Sequence, residues 1–143
     1  MFEFFAPSYQ NIYAMNDLDF YKWMIIKDQI NTSKKQKVFK EAEIWWCNCG
    51  KNVGTEINGK HDYFLRPFIV FKKFSPLSFL GIPLTSKDHT GSWYYKFTFK
   101  QRSQYAVLSQ IRALSVKRLH RKIGELSTET FNTIQSRLLN LCS

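Results

Sequence analysis

Two stretches of the chain carry apolar residues at helical spacing, one near each end. The N-terminal stretch spans residues 18–30 and follows Asn16 and Asp17, which are good helix N-caps. Its apolar positions are Phe20, Trp23, Ile26 and Ile30. The C-terminal stretch follows Ser127, another good N-cap, and its apolar positions are Phe131, Ile134, Leu138 and Leu141. Because steps of three and four residues fall on one helix face, the pattern predicts two helices, each packed through that face.

Between these helices the pattern changes to short apolar or alternating runs, separated by turns rich in Gly, Asn, Ser and Pro. The runs cover residues 43–48, 68–71, 79–84, 93–100, 105–112 and 121–126. Short strands at such close spacing predict a small β-barrel or sandwich, so the expected fold class is mainly β (α+β). A polar, basic linker at residues 31–37 divides the chain into an N-terminal helical extension (1–37) and a barrel domain (38–143).

Positive charge dominates the chain, with 21 Lys and Arg against 11 Asp and Glu and a net charge of +10. No acidic residue occurs in residues 89–124, here called the acid-free stretch. Its cations are Lys96, Lys100, Arg102, Arg112, Lys117, Arg118, Arg121 and Lys122. This distribution favours a polyanionic partner over a merely solvated basic surface. Because no apolar run reaches about 18 residues, we expect no membrane-spanning helix and no membrane partner.

The cysteines indicate neither a metal site nor a disulfide framework. Cys47 and Cys49 have no second cysteine pair and no histidine cluster to complete a zinc site, so we expect no metal and no cofactor. In a strand the two would face the same side and behave as small apolar residues. The odd set, completed by Cys142, and the lack of an N-terminal signal pattern favour a reducing cytoplasm.

Conventional catalytic sets are not visible, because His61, His89 and His120 are scattered and none is paired by spacing with a nucleophile. We read each histidine as a surface residue. Polar side chains do recur at the edges of the predicted strands, where a rigid barrel can present them to a ligand. They are Thr55, Glu56, Arg66, Thr85, Ser86, Lys87, Gln110 and Arg112.

Six segments occur in the order found in one toxin family. They are Gly-Lys-Asn-Val-Gly-Thr-Glu at 50–56, Arg66-Pro67, Ile-Pro-Leu-Thr-Ser at 82–86, Leu-Ser-Gln-Ile-Arg at 108–112, Lys-Arg-Leu at 117–119 and Lys-Ile-Gly at 122–124. By these segments, residues 38–143 resemble the MazF/PemK toxins of type II toxin–antitoxin systems. The chain departs from the family pattern at Ser109, often acidic there, at Thr55, usually serine, and at residues 60–65, often glycine-rich.

The resemblance implies an SH3-like barrel with helices that forms a homodimer and binds a cognate antitoxin. It also implies metal-independent, sequence-selective cleavage of single-stranded RNA, leaving a 2′,3′-cyclic phosphate and a 5′-hydroxyl. The family's essential arginine and threonine match Arg66 and Thr85. A guanidinium can bind two oxygens of the phosphate that gains charge, and a threonine hydroxyl can donate one more bond. Because arginine stays protonated, we expect electrostatic stabilisation rather than acid catalysis.

The sequence leaves alternatives open for the residues and for the function. Arg66 is otherwise a structural ion-pair residue, and Thr85 an ordinary strand residue. The remaining edge residues are predicted RNA contacts: Thr55, Glu56, Ser86, Lys87, Gln110 and Arg112. The general base is not identified. Besides an RNA-cleaving toxin, the chain fits a non-catalytic nucleic-acid-binding barrel or a protein-binding inhibitor of the topoisomerase-poison type, and fold alone does not choose.

Overall fold

The computed structural model describes residues 18–143, which form two α-helices, seven strands and two short 3-10 turns. The proposed caps Asn16 and Asp17 lie outside the described residues. In chain order the helices and strands are α1 (Leu18–Thr32), β1 (Glu43–Asn48), β2 (Leu65–Ser75), β3 (Ser78–Thr85), β4 (Tyr94–Phe99), β5 (Arg102–Val107), β6 (Arg112–Ser115), β7 (Leu119–Glu125) and α2 (Thr128–Leu141). The 3-10 turns are Leu108–Gln110 and Val116–Arg118. Within this part of the chain, no helix is both long and apolar enough to cross a membrane.

The strands form one antiparallel sheet in the order β4-β5-β3-β2-β1-β7, and β6 also pairs with β3. Within the described residues, no backbone pairing joins the two ends of this path. Side chains bring them together instead: Lys100 Nζ donates to the Ile123 carbonyl (2.6 Å), and the Phe99 ring lies 2.8 Å from where a Cβ on Gly124 would be. The prediction of a mainly β, barrel-like fold is therefore confirmed, with an open sheet.

The prediction of one strand over residues 105–112 is wrong, because the 3-10 turn at Leu108–Gln110 divides it into β5 and β6. Both halves pair with β3, Ala106 opposite Leu84 and Arg112 opposite Gly81. The step from 106 to 112 is six residues, whereas the step from 84 to 81 is three. The three extra residues cannot stay in register, so they coil into the turn.

Apolar side chains cover both faces of the sheet. The first cluster includes Trp45, Cys47, Cys49 and Phe68. The second cluster, on the opposite face of the sheet, includes Ile44 and Ile69, and α2 packs on it through Phe131, Ile134, Leu138 and Leu141. Ser127 Oγ accepts a hydrogen bond from the Thr130 amide (3.1 Å), so the predicted cap and stripe of α2 are both confirmed. The two cysteines are buried as predicted, and burial raises the pKa of both thiols.

One carboxylate is buried where β1 meets β7. Glu43 accepts hydrogen bonds from the Lys40 amide (2.7 Å) and Trp45 Nε1 (3.1 Å), and it pairs with Lys122 Nζ at 2.6 Å. Burial by itself would raise the pKa of Glu43, but the three donors outweigh burial and hold the pKa below its ordinary value. The charged form of Glu43 therefore stabilises this strand junction.

Helix α1 packs on its own barrel, as interpreted from its stripe. Trp23 is buried, and Phe20, Ile26 and Ile30 are half-buried. At the other end of the helix, Lys117 Nζ donates to the Asn31 carbonyl at 2.6 Å. The N-terminal helix is thus held by contacts on both sides of Trp23.

Candidate active site

Arg66 and Thr85 meet at neighbouring strand ends. Arg66 is the second residue of β2, and Thr85 is the last residue of β3. Phe68 pairs with Pro83, and continuing this antiparallel register by two residues places Arg66 opposite Thr85. Each of the two is only 8% exposed. The structure therefore brings together the two residues that sequence reasoning paired, although they are 19 positions apart in the sequence.

Main-chain carbonyls hold the Arg66 guanidinium. Its Nε donates to the Asn58 carbonyl at 2.6 Å, and its Nη1 donates to the Leu84 carbonyl at 3.0 Å. Among residues 18–143, no carboxylate forms a salt bridge with Arg66, and its Nη2 makes no hydrogen bond. Burial lowers the pKa of Arg66. These contacts disfavour the structural ion pair and leave a positively charged fork that is fixed in direction.

Thr85 is oriented by the residues that follow it. Its Oγ1 accepts a hydrogen bond from the Lys87 amide at 3.3 Å, which leaves the hydroxyl hydrogen available to donate elsewhere. Lys87 thus orients Thr85 through its backbone amide, and the Lys87 side chain is exposed. Thr85 is therefore arranged as a hydrogen-bond donor beside Arg66.

Positive charge accumulates around Cys49, a member of the first cluster. The charges of Arg66, Arg112 and Arg118 all act on the buried Cys49 thiol. Arg118 Nη1 donates to the carbonyls of Asn48 (2.9 Å) and Cys49 (3.3 Å), and burial lowers its pKa. In the described part of the chain, none of the three arginines has a carboxylate partner. Uncompensated guanidinium groups of this kind favour an anionic ligand.

The loop between β1 and β2, residues 49–64, carries Thr55 and Glu56, both exposed. Glu56 Oε1 accepts from the Val53 amide at 2.9 Å, within the loop itself. Gln110 reaches the loop from the 3-10 turn: its Oε1 accepts from the Ile57 amide (2.5 Å) and its Nε2 donates to the Thr55 carbonyl (3.1 Å). Both ends of the Gln110 side-chain amide therefore bind the loop. The bond to Ile57 is next in the chain to Asn58, whose carbonyl orients Arg66.

A pocket of about 420 Å³ opens where β2 begins and β3 ends, and its lining includes Arg66, Thr85 and Ser86. Sequence reasoning missed its other polar residues, which are Lys60, His61, Lys100, Arg102 and Gln104. Lys100 and Arg102 belong to the acid-free stretch, which was the available signal for them. Lys60 and His61 come from the loop, where nothing in the sequence marks them. No acidic residue of the described chain lines the pocket, so its charge suits an anion.

Residues 40–142 match the family model of the PemK-like, MazF-like toxins of type II toxin–antitoxin systems. The chain belongs to this family. No curated protein sequence matches this MazF/PemK-family toxin. Its fold is similar to MazF from Deinococcus radiodurans, with a TM-score of 0.59, 16% identity, and coverage of 74% of this chain and 97% of that one.

Two mycobacterial endoribonuclease structures are also similar to this MazF/PemK-family chain. One, solved with its cognate antitoxin, has a TM-score of 0.54 and 15% identity over 72% of this chain and 93% of that one. The other has a TM-score of 0.56 and 13% identity over 75% and 93%. At such identities the structures show a shared fold, and the chemistry has to be argued from the site itself. Among residues 18–143, no group of three His, Cys, Asp or Glu side chains is arranged to hold a metal ion.

Proposed function

We propose that this toxin is an endoribonuclease that cleaves single-stranded RNA by attack of the neighbouring 2′-hydroxyl. One observation carries the proposal: a buried Arg66, fixed by the Asn58 and Leu84 carbonyls and free of carboxylates in the described chain, lies at the same strand ends as Thr85. Donors held in place before the reaction stabilise developing charge without reorganising, which is the largest catalytic term in many enzymes.

In the proposed reaction, the 2′-oxygen bonds to phosphorus and the bond from phosphorus to the 5′-oxygen breaks. The leaving 5′-oxygen takes up a proton from water, so the products are a 2′,3′-cyclic phosphate and a 5′-hydroxyl. Arg66 binds the non-bridging oxygens, and Thr85 donates one hydrogen bond to the same phosphate. The two carbonyls fix the plane and direction of the Arg66 guanidinium. We therefore expect the reaction to require the planar geometry of a guanidinium, which another cation does not provide.

His61 is the candidate for accepting the proton of the 2′-hydroxyl, a role that the sequence left open. It lines the pocket beside Arg66 and Thr85, whereas His89 stacks on Tyr94 at 4.3 Å and His120 on Tyr63 at 6.3 Å. An imidazole is the commonest general base in proteins. The His61 side chain is exposed, so it can exchange protons with solvent.

The predicted RNA contacts divide into two groups. Ser86 lines the pocket, Lys87 follows it in the chain, and Arg112 is one of the three arginines around Cys49. These three residues are proposed to bind phosphates, together with Lys100 and Arg102 of the pocket. Thr55 and Glu56 are exposed on the loop and are proposed to contact bases or sugars. Gln110 is proposed to act through the loop, because both ends of its amide are already bonded to it.

We also propose that the toxin binds a cognate antitoxin, forms a homodimer and is located in the cytoplasm. Residue 37 is proposed as the boundary between the N-terminal extension and the barrel domain. The family and the mycobacterial complex support the antitoxin. The net charge of +10 suits an acidic protein partner as well as RNA. The non-catalytic nucleic-acid binder and the protein-binding inhibitor remain the competing functions, and neither requires Arg66 to be held as a fixed fork.

The deciding experiment compares Arg66 variants on a mixed-sequence single-stranded RNA. Arg66→Ala should lower kcat by at least ~10²-fold, the scale for losing one preorganised donor. Arg66→Lys should recover little of it, because an ammonium keeps the charge without the fork. Arg121→Ala removes an exposed arginine of the acid-free stretch and is the matched control, which should keep wild-type kcat. A folded Arg66→Ala variant that cleaves like the parent would refute the assignment.

Thr85 is tested in parallel with Thr85→Val and Thr85→Ser. The first keeps the shape of the side chain and removes the hydroxyl, so kcat should fall, though less than for Arg66→Ala. The second keeps the hydroxyl and should retain most of the activity. Equal activity in the two variants would show that Thr85 is an ordinary strand residue.

A further inference from the structure

Helix α1 contacts the barrel at the neck of the β1–β2 loop, where Gly50 and Phe64 are joined by a main-chain hydrogen bond. Trp23, only 6% exposed, packs edge-on against Phe64 with ring centroids 5.6 Å apart, and the Arg118 guanidinium lies 5.7 Å from the indole. The indole also covers Gly50 so closely that a Cβ there would lie 2.5 Å from the ring. Gly50 and Phe64 stand at the two ends of the loop, so Trp23 lies across its neck.

The neck is a closed arrangement of main-chain hydrogen bonds. The Phe64 carbonyl accepts from the Cys49 amide (2.8 Å) and the Gly50 amide (3.2 Å), and the Gly50 carbonyl accepts from the Gly59 amide (2.7 Å). Gly59 is packed so tightly that a Cβ there would be 1.8 Å from the Phe64 carbonyl oxygen. A shift of Gly50 or Phe64 must therefore move Gly59.

Gly59 directly follows Asn58 in the chain, and the Asn58 carbonyl accepts a hydrogen bond from Arg66 Nε at 2.6 Å. A cavity of about 360 Å³ lies between this part of the loop and α1. It is lined by Asn58 and Gly59 of the loop and by Asp19 and Lys22 of the helix. The helix therefore leaves this part of the loop uncovered, and it contacts the loop through Trp23 at the neck and through Phe20, whose ring lies 5.7 Å from Lys51 Nζ.

We infer that Trp23 is a positioning residue for Arg66: by holding the loop neck, the N-terminal helix keeps the Asn58 carbonyl where it directs the guanidinium. The inference rests on the proposed function for its effect on cleavage, but its structural consequence is independent of cleavage. The N-terminal extension is then part of the active-site support, in addition to packing on the barrel.

The test uses the full chain with Trp23→Ala and Trp23→Phe. Trp23→Ala should lower kcat by about tenfold or more with KM little changed, because misplacing a catalytic group by about 1 Å can cost up to ~10²-fold. Trp23→Phe keeps an apolar ring at the neck and should show an intermediate loss. Met24→Ala, at an exposed neighbouring position on α1, is the matched control and should match the parent.

Two further measurements separate positioning from general destabilisation. Adding Trp23→Ala to Arg66→Ala should cause no additional loss of kcat, since the group being positioned is gone. By NMR, hydrogen exchange of the Arg66 Nε–H should be at least about tenfold faster in Trp23→Ala than in the parent. This second readout does not need cleavage, so it tests the inference even if the chain proves not to be a ribonuclease.

A folded Trp23→Ala protein with parental kcat and parental Arg66 Nε–H exchange overturns the inference. If Trp23→Ala does not fold, Trp23→Phe decides in the same way: an intermediate loss of kcat with faster exchange supports the inference, and parental values overturn it. Full additivity of Trp23→Ala and Arg66→Ala would also overturn it, because Trp23 would then act independently of Arg66.

Discussion

Replacing Gln110 by alanine should release the β1–β2 loop while leaving the barrel folded. The variant loses two hydrogen bonds, from the Ile57 amide at 2.5 Å and to the Thr55 carbonyl at 3.1 Å. At about 0.5–1.5 kcal/mol for each bond, closure of the loop should weaken by roughly 1–3 kcal/mol. If the loop opens locally, exchange of the Ile57 amide should accelerate by about 5- to 150-fold, since about 1.4 kcal/mol is tenfold.

The assay is native-state hydrogen exchange, read at Ile57 and compared with a core amide such as Ile69, whose protection should change little. Gln110→Glu keeps the acceptor for the Ile57 amide and loses the donor to Thr55, so it should have a smaller effect on exchange than Gln110→Ala. With the loop loosened, kcat should fall because the Asn58 carbonyl no longer fixes Arg66. The reasoning is refuted if Gln110→Ala leaves Ile57 protected and raises only KM, which is the behaviour of a direct RNA contact.

Four shorter predictions follow from the charges and the pocket. The lowered pKa of Glu43 contributes stability that is complete above the ordinary value of about 4.5 and is lost as pH falls through the lower, folded value. In urea titrations, Glu43→Gln should therefore flatten the loss of stability that the parent shows as pH falls below the ordinary pKa of Glu43, and parallel pH curves would contradict this. If the acid-free stretch makes four to six phosphate contacts, log affinity for single-stranded RNA should fall with a slope of about −3 to −4 in log salt, and a flat response would make it a solvated surface. His61→Asn keeps a residue tolerant of the φ of 63° found there and should lower kcat if the imidazole takes the proton, whereas unchanged kcat assigns that role elsewhere. Sedimentation should give a dimer, and a 17.0 kDa species at micromolar concentration would count against it.

Much of the fold was predictable because the burial of each element follows its local apolar pattern. The stripe of α2 and its Ser127 cap are local features, and both are found. The division of residues 105–112 was not predictable, because it comes from the register that two distant segments share on β3. A sequence shows an apolar run but not the number of partner residues opposite it.

The site divides in a similar way. The resemblance paired Arg66 with Thr85, and the β2–β3 register brings the two residues together. The groups that hold Arg66 are the carbonyls of Asn58 and Leu84, which are main-chain atoms that carry no residue signature. His61 reaches the pocket through a left-handed backbone conformation in an irregular loop, which neither periodicity nor charge marks. Sequence reasoning therefore paired the two candidate side chains and missed the groups that hold Arg66.

The most direct test of the central claim is an end analysis of RNA incubated with the parent protein in EDTA, beside Arg66→Ala prepared in the same way. We expect cleavage of single-stranded RNA by the parent, with 2′,3′-cyclic phosphate and 5′-hydroxyl ends, and at least ~10²-fold less cleavage by the variant. Equal cleavage by the two proteins would rule out Arg66 as the catalytic group. So would activity abolished by the chelator, because the chemistry would then depend on a bound metal and not on Arg66.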